Sequence, residues 1–196
     1  MSKLYFRYGA MNCGKTTLLM QVAHNYEERG MNVAIIKPAI DTKGNEKIVS
    51  RIGLERKVDF LIKKKENIEK LLEKIAIKKM QCILVDEAQF LEKKQIESLF
   101  IFTKKYNIPV ICYGLKNDFK TKMFEGSKRL FELADSIEEL NTICRCGKKA
   151  KFNARKVHSE FVNKGNQVEV DNQCKIEYES LCGKCYIEKV LKKIIC

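Results

Sequence analysis

Proline occurs only twice in 196 residues and histidine only twice, while no apolar run approaches the length of a membrane span. Each scarcity removes a class of protein. So little proline excludes a polyproline or low-complexity linker and, with 45% hydrophobic residues, points to a folded globular chain. Without an apolar stretch of about 20 residues there is no transmembrane helix in the sequence. No signal-peptide pattern opens the chain. His24 falls in a helical stretch with no partner for nucleophilic work nearby, which reads as packing. Cysteine, by contrast, is abundant. Nine cysteines, an odd number and partly clustered, suggest a reducing compartment and a metal site, so the expected location is cytoplasmic. The length suffices for one substantial core with a small appendage.

The formal net charge of +13 invites a nucleic-acid reading. The lysines are nevertheless dispersed, as in Lys63-Lys64-Lys65, Lys104-Lys105 and Lys192-Lys193, mostly beside apolar helix stripes. A solvated lysine-rich surface explains them better than a nucleic-acid groove.

The most specific stretch is Gly9-Ala10-Met11-Asn12-Cys13-Gly14-Lys15-Thr16. It fits G-x-x-x-x-G-K-[ST], between the strand-like Lys3–Tyr8 and the helix-like Thr17–Ala23. In such a loop the glycines let successive N–H groups face phosphate oxygens, and the helix N-terminus adds partial positive charge. Lys15 would reach the β- and γ-phosphates of ATP, and Thr16 would ligate Mg²⁺. Cys13 occupies a variable position of the motif and receives no role.

Further along, the first helix is expected to stop at Gly30 and Asn32–Ile36 to form a buried parallel strand. Residues 37–56 read as a long loop, Val58, Phe60 and Ile62 as a short strand, and Asn67 as the cap of a helix bearing Ile68, Leu71, Leu72 and Ile75. The apolar run Gln81–Val85 ends in Asp86-Glu87. A carboxylate at the carboxyl end of a strand beside a phosphate loop can hold Mg²⁺, which assigns Asp86 and leaves Glu87 to act on a proton near the γ-phosphate. A helix with Ile96, Leu99 and Phe102 follows, then the strand Ile108–Tyr113 and a ligand-side loop Gly114–Phe119. Ser127–Ala134 reads as a short helix and Ser136–Thr142 as a last strand. Alternating strands and helices give a parallel α/β domain over residues 1–142.

Composition changes at Cys144. The pairs Cys144/Cys146 and Cys182/Cys185 read as a Cys₄ Zn²⁺ site, with Cys174 in reserve should the short first pair not reach. Residues 143–196 then form a small zinc-binding domain whose long loop is pinched at both ends. Val168 and Val170 suggest a small strand in that loop, and Tyr186–Ile195 a helical tail.

Taken together, the phosphate loop, Asp86-Glu87-Ala88-Gln89-Phe90, Leu115 with Phe119, the cysteine pairs and Tyr178-Glu179-Ser180-Leu181-Cys182 resemble the cytosolic, zinc-containing type of thymidine kinase, in order along essentially the whole chain. The resemblance implies a RecA-like P-loop domain and a zinc-ribbon domain carrying a lasso loop. It implies transfer of the γ-phosphoryl of ATP to the 5′-hydroxyl of thymidine or deoxyuridine in nucleotide salvage for DNA synthesis, with Glu87 as catalytic base. Met11, Phe90, Leu115, Phe119 and Tyr178 would line the nucleoside pocket. Main-chain groups around Asn153 and Val168, Val170 and Asp171 would bind the thymine edge. Lys37, Asp41 and Lys43 would lie on a mobile loop near the phosphates. A homotetramer inhibited by dTTP, the end product, is also implied. The chain departs from the family pattern in its C-x-C first pair and in Asp171-Asn172-Gln173, where paired glycines are usual. The rival readings are a RecA-like P-loop ATPase acting on nucleic acid, in which Glu87 would orient water, and a zinc-ribbon nucleic-acid binder, which leaves the phosphate loop unexplained.

Overall fold

The structure is a computed structural model that describes residues 1–40, 46–167 and 176–193. The elements run β1 (Leu4–Tyr8), α1 (Lys15–Glu27), β2 (Val33–Pro38), β3 (Lys47–Val49), β4 (Glu55–Lys57), β5 (Phe60–Ile62), α2 (Glu69–Ile77), β6 (Cys82–Val85), α3 (Lys93–Tyr106), β7 (Val110–Gly114), α4 (Glu125–Leu133) and β8 (Ser136–Glu139). Six of the strands form one sheet in the order β5-β2-β6-β7-β1-β8, with every neighbouring pair parallel. From β1 to β2 to β5 the chain moves one way across this sheet, and from β5 through β6 and β7 to β8 it moves the other way. Right-handed crossovers must therefore place their connections on opposite faces.

Both faces follow that rule. Leu19, Met20 and Ala23 of α1 pack with Ile35, Leu84 and Tyr113 on one face. Leu72 and Ile75 of α2, Ile96, Leu99 and Phe102 of α3, and Leu130 of α4 pack with Phe6, Ile36, Val85 and Cys112 on the other. Successive strand residues alternate between the two cores, as the pleat requires. Because both faces are covered, β2, β6 and β7 are buried at every position.

The expected 37–56 loop is corrected in part. Lys37 and Pro38 belong to β2, and β3 and β4 pair as an antiparallel hairpin. Ile48, together with Val58 just beyond β4, anchors the hairpin in the α1-side core, and Arg56 donates to the Glu27 carboxylate of α1, with one contact of 2.9 Å. The apolar side chains scattered through this polar stretch carried too little periodicity to mark these strands in the sequence. The expected cap shifts by one residue: Ile68 is the N-cap of α2, and Asn67 before it accepts at Oδ1 from Glu69 N at 2.9 Å. His24 is exposed rather than packed.

The last expected strand, Ser136–Thr142, is two pieces. β8 ends at Glu139, and Thr142–Ile143 is β9, which pairs with β10 (Lys149–Ala150) in a separate ribbon. Beyond it, β11 (Phe152–Val157) stands between β12 (Glu160–Val162) and β13 (Ile176–Leu181) in an antiparallel sheet, and α5 (Gly183–Lys189) closes the third core around Ala154, Leu181 and Tyr186. The expected tail helix therefore begins three residues earlier, because Cys182 caps it by accepting from Cys185 N, and it ends at Lys189. Val168, Val170, Asp171 and Cys174 lie outside the described residues, as do Asp41 and Lys43. Among the described residues no helix is long and apolar enough to cross a membrane.

Candidate active site

In the sheet, β6, β7 and β1 are adjacent. Their carboxyl ends therefore deliver Asp86-Glu87, the loop from Gly114 and the phosphate loop to one place, the position where ligands of open parallel sheets sit.

The phosphate loop leaves β1 at Gly9. A Cβ there would lie 2.6 Å from Leu140 O and 2.5 Å from Cys13 Sγ, so only glycine fits this packed turn. Gly14 caps α1 at φ +78° and offers no side chain to the first-turn N–H groups, which leaves them facing the cleft as an anion site. Lys15 Nζ donates to Ala10 O at 2.9 Å, a bond that curls the side chain over the loop. Thr16 Oγ1 donates to Asp86 Oδ2 at 3.1 Å. Octahedral Mg²⁺, with ligands at about 2.1 Å, sets neighbouring ligand oxygens about 3 Å apart, so Thr16 and Asp86 fit as its holders. Asp86 is pushed up to about 7, first by burial and then by the charge of Glu87, against the opposing pull of the Glu87 amide, Thr16 and Lys15.

Glu87 sits at φ +49°, a left-handed conformation costly for a side-chain-bearing residue and common where function fixes the backbone. Its Oε2 accepts from Gln89 Nε2 at 2.6 Å.

One cavity of about 550 Å³ contains Lys15, Thr16 and Glu87 on its lining together with Met11, Phe90, Leu115, Phe119, Asn153 and Tyr178. The described nucleoside-site expectations thus converge on the phosphate site; Val168, Val170 and Asp171 lie outside the described residues. Its volume is in the range of small-ligand pockets. Gly9, Ala10 and Cys13 shape the loop without lining the cavity, and Asp86 stands behind Thr16. Lys37 is not on a loop at all: it is 1% exposed within β2, and its Nζ donates to Lys47 O at 3.2 Å.

Three features escaped sequence reasoning. Asn153 uses its side chain rather than leaving it idle: Oδ1 accepts from Met11 N at 2.8 Å and Nδ2 donates to Asn117 O at 3.1 Å. It ties β11 to the phosphate loop and to the loop after β7, and Ser180 Oγ adds a 2.6 Å bond to Met11 O. Arg155, 1% exposed, lays its guanidinium 3.8 Å from the Phe119 ring centre and donates to the Tyr178 hydroxyl at 3.0 Å. It holds two pocket walls at once. Arg51, at the β3–β4 turn, also lines the cavity. Arg51 and Arg155 belong to no motif, so no signal in the sequence marked them, and Asn153 entered only through the family resemblance and only for its main-chain groups.

Away from the cleft, Cys144, Cys146, Cys182 and Cys185 bring their Sγ atoms within 4.8 Å of one another. A tetrahedral Zn²⁺ with sulfur ligands at about 2.3 Å needs S···S edges of about 3.8 Å, and Cys146 and Cys182 stand at 3.5 Å. The donor set fits zinc. The short C-x-C pair reaches because the chain turns at Gly147, whose N–H bonds Cys144 O at 2.8 Å.

A family model described as thymidine kinase matches residues 2–186. The thymidine kinase of Haemophilus influenzae (strain ATCC 51907) is 42% identical over 193 residues, spanning 94% of this chain and all of that protein. The thymidine kinase of Pasteurella multocida (strain Pm70) is 43% identical over 192 residues, covering 97% of this chain and 99% of that one. The thymidine kinase of Enterobacteria phage T4 is 42% identical over 194 residues, 98% of this chain and 99% of the phage protein.

Proposed function

The chain belongs to the thymidine kinase family, and we propose that it phosphorylates thymidine, moving the γ-phosphoryl of ATP onto the 5′-hydroxyl to give dTMP. The observation that carries the reading is the single cavity in which the phosphate-loop residues Lys15 and Thr16 and the carboxylate of Glu87 share walls with Phe90, Leu115, Phe119 and Tyr178.

In this reading the first-turn N–H groups of α1 and Lys15 hold the β- and γ-phosphates. Thr16 and Asp86 would hold Mg²⁺, which would supply neutralisation of phosphate charge when bound. Glu87 accepts the 5′-hydroxyl proton as the oxygen attacks. Phosphoryl transfer has a loose transition state, so fixing donor and acceptor in line and balancing charge supply most of the acceleration. The aromatic and aliphatic walls bury the base and sugar and exclude water, which would otherwise compete as acceptor. Backbone groups near Asn153 and in the segment containing Val168, Val170 and Asp171 read the thymine edge.

Zn²⁺ on the four cysteines is structural. Held by the four cysteines, it would join the β9–β10 ribbon to the start of α5, a structural rather than a catalytic role. Residues 1–142 act as the ATP-binding domain and 143–196 as the zinc-binding lasso domain. We extend the reading to deoxyuridine as a second substrate, dTTP as a feedback ligand, a homotetramer, and a cytoplasmic setting for its nine cysteines. An ATPase acting on nucleic acid is the disfavoured alternative, since it leaves the apolar nucleoside walls unused.

The test is direct. Purified protein with ATP, Mg²⁺ and labelled thymidine should yield the monophosphate, and ATP consumption should depend on thymidine and not on DNA. ATP hydrolysis indifferent to thymidine would overturn the proposal.

A further inference from the structure

The Gln89 side chain lies between the Glu87 carboxylate and the nucleoside-pocket wall, and the local chemistry fixes its direction. Its Oε1 accepts from the backbone N–H of Leu115 at 3.0 Å. A backbone N–H can only donate, so the amide oxygen must face Leu115, and Nε2 must face Glu87, where it donates to Oε2 at 2.6 Å. Gln89 is 2% exposed, so water does not compete for either bond.

The neighbouring backbone packs closely on this turn. A Cβ on Gly114 would come within 2.8 Å of Gln89 Oε1 and 3.2 Å of Gln89 N. A Cβ on Gly126, in α4, would come within 2.5 Å of Leu91 O, 2.7 Å of Ala88 O and 3.0 Å of Gln89 O. The short 3-10 turn Ala88–Phe90 is thus clamped between the end of β7 and α4, where two glycines admit close backbone contact. The Glu87 backbone is itself fixed at φ +49°. Among the described residues Glu87 Oε1 has no hydrogen-bond partner, so one carboxylate oxygen is held and the other is left to the substrate.

We propose that Gln89 is a positioning residue: its amide pins one oxygen of Glu87, presents the other to the acceptor hydroxyl, and through Leu115 ties the geometry of the base to the wall of the nucleoside pocket. This rests on the reading of Glu87 as base. Near-attack geometry is steep in position, and a displacement of about 1 Å can cost about 10²-fold in rate. Gln89 borders the cavity, but both of its side-chain bonds are spent on Glu87 and the Leu115 N–H, so its loss should appear in kcat more than in KM.

The experiment uses the full-length zinc-loaded protein with thymidine, ATP and Mg²⁺. Gln89→Met keeps the volume and removes both bonds. Gln89→Glu keeps the acceptor for Leu115 N–H and replaces the donor to Glu87 with a second carboxylate. Both variants should lose about 10–10²-fold in kcat, with KM for thymidine within about threefold of wild type, since transition-state interactions alone are removed. In a Glu87→Gln background, Gln89→Met should lower kcat no further, the non-additivity expected of two residues acting through one contact. Wild-type kcat in Gln89→Met and Gln89→Glu, while Glu87→Gln is inactive, would overturn the positioning role and leave the base assignment intact. Losses in kcat and KM of equal size with a matching fall in Tm would also overturn it, marking Gln89 as merely structural. Full activity in Glu87→Gln would instead overturn the base reading itself.

Discussion

Replacing Asn153 with alanine tests the joint between the two parts of the molecule. The side chain bonds Met11 N at 2.8 Å and Asn117 O at 3.1 Å, and Asn153 is 5% exposed. In Asn153→Ala the Met11 N–H and the Asn117 carbonyl lose their partner in a part-buried site. Each buried polar group left unpaired costs about 1–3 kcal/mol. The Asn117 carbonyl borders the cavity and can recruit water, which puts its share at the low end, so the sum is about 3 kcal/mol. For a chain of this size each kcal/mol lowers Tm by about 2–4 °C, so calorimetry should find a fall of about 6–12 °C. Asn153→Asp keeps the acceptor for Met11 N and loses the donor to Asn117 O, so it should fall between. On the proposed reading of the base by main-chain atoms, the preference for thymidine over deoxycytidine should hold in both variants. A Tm within about 2 °C of wild type for Asn153→Ala would refute the tether, and a collapse of nucleoside selectivity at unchanged Tm would show that this side chain reads the base.

Other expected outcomes follow from the same geometry. Wild-type protein should carry about one zinc per chain and Cys182→Ser none, measured by metal analysis; active protein free of zinc would contradict the Cys₄ site. Cytosine replaces the N3–H donor of thymine with an acceptor and one carbonyl with an amino donor, so kcat/KM for deoxycytidine should fall about 10²–10⁴-fold below thymidine, and for deoxyuridine about tenfold. Equal turnover of deoxycytidine would end the thymidine reading. Arg155→Met removes the cation over Phe119 and the bond to Tyr178, a loss of about 2 kcal/mol of wall alignment, and steady-state kinetics should show a KM for thymidine raised by about 10–30-fold; an unchanged KM would separate Arg155 from the pocket. Gly126→Ala forces a methyl against Leu91 O and Ala88 O at 2.5 and 2.7 Å, so both Tm and kcat should drop, and a neutral variant would mean that α4 can move away from the turn.

How far the chain could be read depended on the range of the interaction. The phosphate loop, Asp86-Glu87 and the cysteine pairs were legible because their chemistry requires set residue types at short spacing. Val33–Pro38, Cys82–Val85 and Val110–Gly114 were legible because strands covered on both faces must be apolar throughout. The β3–β4 hairpin was not, since its strands are three residues each and mostly charged. They gain their stability from Ile48, and nearby Val58, reaching a core formed by distant α1 and β6. Nor could β8 and β9 be separated, because the break at Leu140 is set by its packing against the α1-side core and by its N–H bonding Tyr8 O.

By itself, then, the sequence determined the parallel α/β class, the phosphate-loop motif, the paired carboxylates and the cysteine pairs, all properties of local pattern. Only the tertiary structure decided that Gln89 faces Glu87, that Asn153 fastens β11 to Met11, and that Arg155 stacks on Phe119. Those contacts join residues 2, 142 and 36 positions apart, and even the nearest of them depends on Leu115, a residue 26 positions away, to turn the amide. A side chain's partner across such distances is set by strand order and crossover hand, which place β6, β7 and β1 side by side. No single stretch of chain encodes that adjacency. It arises because burying both faces of the sheet at once leaves the carboxyl ends of these three strands as the one place where their loops, and the chemistry they carry, can meet.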